Sequence, residues 1–222
     1  MVVATSSRLA PVHAAPQEGE SVPAETWSSL INLAGRQRML SQRIALMALL
    51  ADRGDRPARS AAREALQQFS RAHERLSQGG DGLPAPPTAA LREALVGPAG
   101  ADAAVRRFIA LAHQVLDGPD AALHRDALAQ LVEQATPLLA QLNQLTLAYE
   151  AQARSAAQRA QAHRASLISR IERVAGEARI VAMNARIAAA RAGDGGREFG
   201  VVAARLVEVS AQIESLSHAA MR

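Results

Sequence analysis

The chain of 222 residues contains no cysteine and very few aromatic residues. The absence of cysteine excludes disulfides, thiolate metal sites and cysteine nucleophiles. Aromatic residues make up 2% of the chain and hydrophobic residues 49%, so Leu, Ile, Val, Met and Ala must form the core. Such small side chains and strong helix formers favour closely packed helices. The composition therefore predicts an all-α protein with almost no strand.

The chain also has no strong excess of charge of either sign. Lys and Arg number 25 against 21 Asp and Glu, and every basic residue is arginine. With so few aromatic side chains to stack on bases, a nucleic-acid-binding function is not expected. The six histidines are scattered without the spacing of a metal site, and no catalytic constellation stands out. We therefore expect no metal, no cofactor and no enzymatic activity.

Long hydrophobic runs are missing as well. The apolar stretch at residues 44–51 is far shorter than the roughly 20 residues that a membrane-spanning helix needs. The first ten residues have too little apolar length for a signal peptide. The sequence thus predicts no membrane span and a cytoplasmic location.

Proline and glycine divide the chain into a non-periodic start and several helical segments. Residues 1–24 contain three prolines and no hydrophobic periodicity, which predicts a disordered arm. A cap at Thr26 is expected to start the first helix. The long helices are predicted over Thr26–Arg53, 57–77, 102–116 and from Pro119 onwards.

The last of these helices is unusually long. Pro137 falls within its pattern and predicts a kink or a restart, and from Leu138 to Ala192 only Gly176 interrupts the pattern. We expect this helix to connect a helical bundle at residues 25–155 with a second segment at residues 156–222.

Two stripes separate on the first helix. One is the expected core face, formed by Leu33, Leu40, Ile44, Met47 and Ala51. The other has alternating steps of four and three residues, as in a coiled-coil seam, and consists of Ile31, Gly35, Arg38, Gln42, Ala45 and Leu49.

Glycine and arginine are unusual in the middle of such a seam. A helical glycine costs about 1 kcal/mol relative to alanine, so Gly35 indicates close approach of another backbone or a ligand. If two copies of the helix meet about a two-fold axis, their Arg38 side chains face each other and need an anion between them. Spacing alone also allows Arg38 to extend from the helix edge to water, with Gly35 merely easing helix packing.

Residues 31–44, Ile-Asn-Leu-Ala-Gly-Arg-Gln-Arg-Met-Leu-Ser-Gln-Arg-Ile, closely resemble the opening signature of PilJ-type sensor domains, the N-terminal domains of type IV pili methyl-accepting chemotaxis transducers. Residues 138–150 resemble the closing helix of that domain. The resemblance implies a four-helix bundle that forms a homodimer and holds a small anion, such as nitrate or nitrite, between the two first helices. Arg38 matches the anion-binding arginine and Gly35 the close-approach glycine.

Gln42 completes the predicted ligand-binding set, and Ile31, Ala45 and Leu49 complete the predicted dimer seam. Arg36 and Arg43 lie on another face and are expected to be solvated or structural.

Two further apolar series flank Gly193-Asp-Gly-Gly196 and predict an antiparallel coiled-coil hairpin with its turn at 193–196. Folding the chain there pairs Ala188 with Val202 and Ala178 with Ile213. Small residues of one arm would then face large residues of the other. A phosphate-binding loop would need a lysine and a strand that are missing here.

Residues 181–203 resemble the hairpin tip of methyl-accepting chemotaxis proteins. The resemblance implies contacts with a chemotaxis histidine kinase, its coupling protein or other chemoreceptors. Ala188 stands where the family has a glutamate, and the returning arm is too short for methylation sites, so adaptation by methylation is not expected. The matching tip positions are Asn184, Ala185, Ile187, Arg191, Gly193, Asp194, Arg197, Phe199, Val201 and Val202, with Asp194 replacing a glutamate.

These patterns predict a sensory signalling protein that binds a small ligand at a dimer interface and signals through a helical hairpin. An alternative is an interaction module without a ligand that joins or modulates chemoreceptor or kinase assemblies. A fragment of a receptor whose membrane spans have been lost also stays open.

Overall fold

The structure, a computed structural model, describes residues 22–118 and 121–220. The described residues form helices and no strand, which confirms the all-α prediction. A short 3-10 helix, Gly193–Gly196, precedes the last helix. The helices are α1 (Ala24–Asp52), α2 (Arg56–Gln78), α3 (Ala89–Val96), α4 (Ala101–Asp117), α5 (Ala121–Arg191) and α6 (Arg197–Ala220). Pro119 and most of the predicted N-terminal arm lie outside the described residues.

The chain divides into two units, Met1–Ala156 and Ala157–Arg222. In the first unit the long helices α1, α2 and α4 pack with the first part of α5, and α3 is a short insertion between α2 and α4. The second unit consists of the remainder of α5, the 3-10 helix and α6. The predicted boundary between residues 155 and 156 lies one residue from this division.

Helix starts are set by local capping. Asp55 accepts a hydrogen bond from the Ala58 backbone N–H at 2.9 Å at the start of α2, and Thr88 caps α3 in the same way. The predicted cap at Thr26 is wrong, because α1 begins at Ala24 behind Pro23 and has no side-chain cap. Proline before the helix supplies a fixed φ without any capping hydroxyl.

Helix α5 passes through Pro137 without a restart. Proline removes one helical hydrogen bond, in this case the bond that the Glu133 carbonyl would accept. Both residues are exposed, so water can solvate that carbonyl and the helix tolerates the missing donor.

The core of the first unit is split into two apolar clusters. Phe69 and Phe108 meet edge to face in the first cluster, with ring centroids 5.9 Å apart. Its larger members are Leu40, Ile44, Leu66, Phe69, Phe108, Leu111, Val115, Leu131, Leu138 and Leu142. The second cluster contains Trp27, Leu30, Ala34, Leu76, Leu91, Leu95, Ala101, Leu145 and Tyr149.

A set of polar residues occupies the boundary between the clusters along each long helix. We call it the polar layer, and its members are Gln37 and Ser41 of α1, His73 of α2, Asp102 of α4 and Thr146 of α5. The sequence patterns missed it, because the predicted core face of α1 contained only apolar residues. Of that face, Leu40 and Ile44 are fully buried, whereas Leu33, Met47 and Ala51 are half-buried.

The second unit is an antiparallel hairpin whose register agrees with the sequence. Arg179 pairs with Glu214 at 3.3 Å, one position from the predicted partners Ala178 and Ile213. Gly193 adopts φ +62° in the turn. At Gly196 a Cβ would collide with the Ala189 carbonyl, so both glycines are required.

The contacting face of the hairpin differs from the prediction. Ala188 and Val202, which were predicted to pair, are both exposed. The buried positions recur every seven residues and carry small side chains on both arms, namely Ala175, Ala182, Ala189, Gly196, Ala203, Ser210 and Ser217. Small residues let the two backbones approach closely, which leaves the large apolar side chains outside.

No helix within residues 22–118 and 121–220 is long and apolar enough to cross a bilayer. The cytoplasmic location stays a prediction.

Candidate functional site

An open groove of about 600 Å³ runs between α1 and α5 in the first unit. Both polar and apolar side chains line it: Arg38, Met39 and Gln42 from α1, and Thr136, Leu139, Ala140 and Asn143 from α5. Two of the three residues predicted to bind ligand therefore lie in this groove. The third, Gly35, is one helical turn before Met39 on the same side of α1.

Arg38 is the cation of this groove. Its Nη1 donates a hydrogen bond of 2.7 Å to the carboxamide oxygen of Asn143. No carboxylate in the described parts of the chain forms an ion pair with it. Arg38 as a residue is half-buried, and within the described residues the side-chain partner of its guanidinium is neutral.

Gly35 and Gln42 flank Arg38 along α1. Apart from the helix itself, a Cβ added at Gly35 would meet only Arg38 Nη2, at 3.7 Å, so no other part of the described chain requires glycine there. Gln42 donates through Nε2 to the Ala135 carbonyl of α5 at 3.0 Å. This bond turns its carboxamide oxygen, an acceptor, away from Ala135.

The predicted seam residues lie elsewhere on α1. Ala45 is buried in the first cluster, and Ile31 and Leu49 are half-buried against the second and first clusters. The large apolar residues that are exposed beside the groove are instead Met39 and Leu46 of α1 and Val132 and Leu147 of α5. We call these four residues the α1–α5 face.

Residues 24–128 match the protein family described as "Type IV pili methyl-accepting chemotaxis transducer N-term", or PilJ. This segment is a PilJ-type domain. It comprises α1 to α4 and the first residues of α5, including Arg38 and its neighbours on α1. No curated protein and no solved structure matches the chain.

The match supports a signalling role of the chemotaxis or type IV pilus transducer kind for this segment. The match does not extend to residues 181–203, so the resemblance of the hairpin tip to chemoreceptors stays a prediction.

The buried histidine of the polar layer contacts Asp102, which in turn is bonded to Arg106. His73 Nε2 lies 2.7 Å from Asp102 Oδ1, and Arg106 Nε donates to both oxygens of Asp102. Arg106 holds the pKa of Asp102 below its usual range. Burial lowers the pKa of His73, and the hydrogen bond to Asp102, which raises it, does not fully offset the desolvation.

Groups of three or more His, Asp and Glu with metal-site geometry are absent from residues 22–118 and 121–220. Arg36 and Arg43 are exposed, as expected for solvated arginines.

The predicted tip residues gather at the end of the hairpin. Ala185 is half-buried, and the residues predicted to contact a partner are exposed: Asn184, Ile187 and Arg191 near the end of α5, Asp194 in the 3-10 helix, and Arg197, Phe199 and Val201 at the start of α6. Phe199 and Val201 are 60% and 72% exposed.

Sequence reasoning missed the α5 side of the groove. Asn143 is 105 positions from Arg38, so no local spacing connects them. The available signal was a carboxamide between Leu142 and Leu145, two residues of the core face of α5.

Proposed function

We propose that this protein is a dimeric receptor that binds a small anion, such as nitrate or nitrite, at Arg38 and transmits the binding event along α5. The observation that carries the proposal is Arg38, a half-buried residue that lines a groove and whose guanidinium bonds, among the described side chains, to a neutral acceptor. The PilJ-type domain supports a sensory role for the same segment.

The physical argument concerns desolvation. A cation that is partly removed from water is unfavourable unless an opposite charge or several acceptors compensate it. Arg38 uses one of its five N–H groups on Asn143. A planar oxyanion could take two of the others in parallel, and such charge-assisted pairs are the strong hydrogen bonds of proteins.

A second copy of the chain is the proposed cover of the groove. The α1–α5 face exposes Met39, Leu46, Val132 and Leu147, each 38% to 55% exposed. On α1, Gly35, Met39, Gln42 and Leu46 follow steps of four, three and four residues, the spacing of a helix–helix seam. This seam is displaced by about one position from the predicted one, whose residue Ala45 packs inside its own chain.

Two-fold symmetry would bring two Arg38 side chains to the same interface. Their repulsion falls when one anion lies between them, so anion binding and dimer formation should strengthen each other.

Transmission would use the contacts between α1 and α5. Arg38 and Gln42 each bond to α5, at Asn143 and at the Ala135 carbonyl. Helix α5 continues to Arg191 without interruption, and the hairpin contains its last part. The anion must favour one arrangement of α1 and α5 over another for a signal to result.

Calorimetric titration of the full chain with nitrate and with nitrite tests the proposal. We expect saturable binding to the wild-type protein and a loss of at least about tenfold in affinity in Arg38→Ala, since a charged hydrogen bond contributes about 1.5–3 kcal/mol. Arg43→Ala is the matched control, because Arg43 lies on the same helix but is exposed and should leave affinity unchanged.

Sedimentation of the same samples measures the dimer. Nitrate should increase the dimer fraction of the wild-type protein and of Arg43→Ala, but not of Arg38→Ala. Equal affinities of the two arginine variants would refute the assignment of Arg38.

A second function, an interaction module without a ligand, is favoured by the exposed tip. Phe199 and Val201 are mostly exposed and lie beside the turn. Exposed large apolar residues in one place are typical of a protein-binding surface.

Co-purification with a chemotaxis coupling protein tests this function. Binding that is unaffected by nitrate and lost in Phe199→Ala, but kept in Glu198→Ala, would support it. No capture of the coupling protein by the wild-type chain would count against it.

A further inference from the structure

The Arg38 guanidinium has one fixed side and one open side. Its Nη1 is bonded to Asn143 Oδ1 at 2.7 Å. Within residues 22–118 and 121–220, and leaving aside the helix backbone, its Nη2 is the one atom within 4 Å of a Cβ built at Gly35, at 3.7 Å. Glycine at position 35 therefore places no side chain beside the Nη2 atom of Arg38.

The chemical nature of the partner matters as much as its position. A carboxamide oxygen accepts a hydrogen bond without adding charge. A carboxylate in the same place would form an ion pair with Arg38, cancel its charge and occupy the edge that binds oxyanions in parallel.

We propose that Asn143 is a positioning residue of the anion site: it fixes Arg38 through Nη1, presents the Nη2 edge beside Gly35, and leaves the whole positive charge to the ligand. This inference rests on the proposed function. Asn143 of α5 would thus favour anion binding through Arg38, without contacting the anion itself.

The position of Asn143 also joins the site to the output helix. It lies one turn before Thr146 of the polar layer, whose hydroxyl donates to the Leu142 carbonyl at 2.8 Å. Because Asn143 is on α5, the orientation of Arg38 depends on how α1 and α5 are placed relative to each other within the first unit.

Arginine side-chain NMR of the full chain without any anion tests the positioning directly. In the wild-type protein a fixed guanidinium should show separate Nη1 and Nη2 signals for Arg38. In Asn143→Ala rotation should average them. Averaged signals in the wild-type protein would overturn the inference. This result depends neither on a ligand nor on the folding of a variant.

Calorimetry with nitrate as the probe tests the choice of a neutral partner. We expect Asn143→Ala to weaken nitrate binding about threefold and Asn143→Asp about tenfold or more, because only the carboxylate cancels the charge of Arg38. Gln144→Ala is the control, since Gln144 is the exposed next residue of α5, and circular dichroism checks that each variant is folded.

The order of affinities separates the possible roles. A residue that only stabilises the bundle would make Asn143→Ala at least as harmful as Asn143→Asp, and tighter binding in Asn143→Ala would show that Asn143 competes with the anion. Either result overturns the inference. Unchanged affinity in both variants, with loss in Arg38→Ala, would overturn it while leaving the proposed function intact. No nitrate binding by the wild-type protein would overturn both.

Discussion

Replacing Gln37 by methionine should stabilise the protein, although it removes a hydrogen bond. Gln37 is fully buried in the polar layer, and its Nε2 donates to the Phe69 carbonyl at a long 3.3 Å. Its Oε1 is buried and accepts no hydrogen bond from the part of the chain that the structure describes. Methionine has nearly the same length and volume and no polar atom, so the substitution keeps the packing.

The expected gain follows from two opposing effects. Removing an unpaired buried acceptor recovers about 1–3 kcal/mol, whereas losing one neutral hydrogen bond costs about 0.5–1.5 kcal/mol. The Phe69 carbonyl keeps its helical donor, the backbone N–H of His73. The difference, about 1 kcal/mol of stabilisation, should raise the melting temperature by about 2–4 °C for a chain of this size.

Thermal unfolding of the full chain, followed by circular dichroism, measures this shift. The matched control is Gln67→Met on α2, where the side chain is exposed and the change should stay within about 0.5 kcal/mol. A loss of more than about 1 kcal/mol in Gln37→Met would refute the reasoning, because it would mean that the Gln37 amide makes valuable bonds on both of its ends.

Two further predictions concern the polar layer and the hairpin. His73 has a lowered pKa in the folded chain, so the unfolded chain binds more protons as the pH falls through the ordinary value of 6.5 and stability should fall with it. The pKa of Asp102 is also lowered in the folded chain, so its contribution to stability is kept as the pH falls to about 3.8. His73→Gln should flatten the dependence of melting temperature on pH between about 7.5 and 5.5, and an unchanged slope would contradict this. In the hairpin, Ala182→Leu should lower the free energy of unfolding by about 1–3 kcal/mol, because it overpacks a buried position. Ala188→Leu changes an exposed position and should lower it by less than about 0.5 kcal/mol. Chemical denaturation measures both values, and the reverse order would favour the pairing predicted from sequence.

The hairpin shows what periodicity can and cannot predict. The turn glycines and the complementary lengths of the arms were sufficient to predict the register, which Arg179 and Glu214 reproduce within one position. They were insufficient to predict which face of each arm contacts the other arm. Two neighbouring stripes on each arm follow alternating steps of four and three residues, so the spacing fits both. The arms meet through the stripe of small residues, such as Ala182 and Ser210, and a pattern search for large apolar residues selects the other one.

The groove shows the same limit at longer range. The spacing along α1, together with the resemblance of residues 31–44 to PilJ-type domains, singled out Arg38 and Gln42, which both line the groove. The contribution of α5 depends on how two distant helices are aligned, and Asn143 becomes significant only once that alignment is known. Gln37 was missed for a different reason, since a hydrophobic pattern does not count a buried glutamine as core.

The polar layer has a consequence for how the first unit opens. It separates the cluster around Trp27 and Tyr149 from the cluster around Phe69 and Phe108, so few apolar contacts link the two halves. Local opening of one half then exposes little of the other, and the bundle should contain two cooperative units with separate hydrogen-exchange rates. Amides near Leu30 should exchange on a different timescale from those near Leu111.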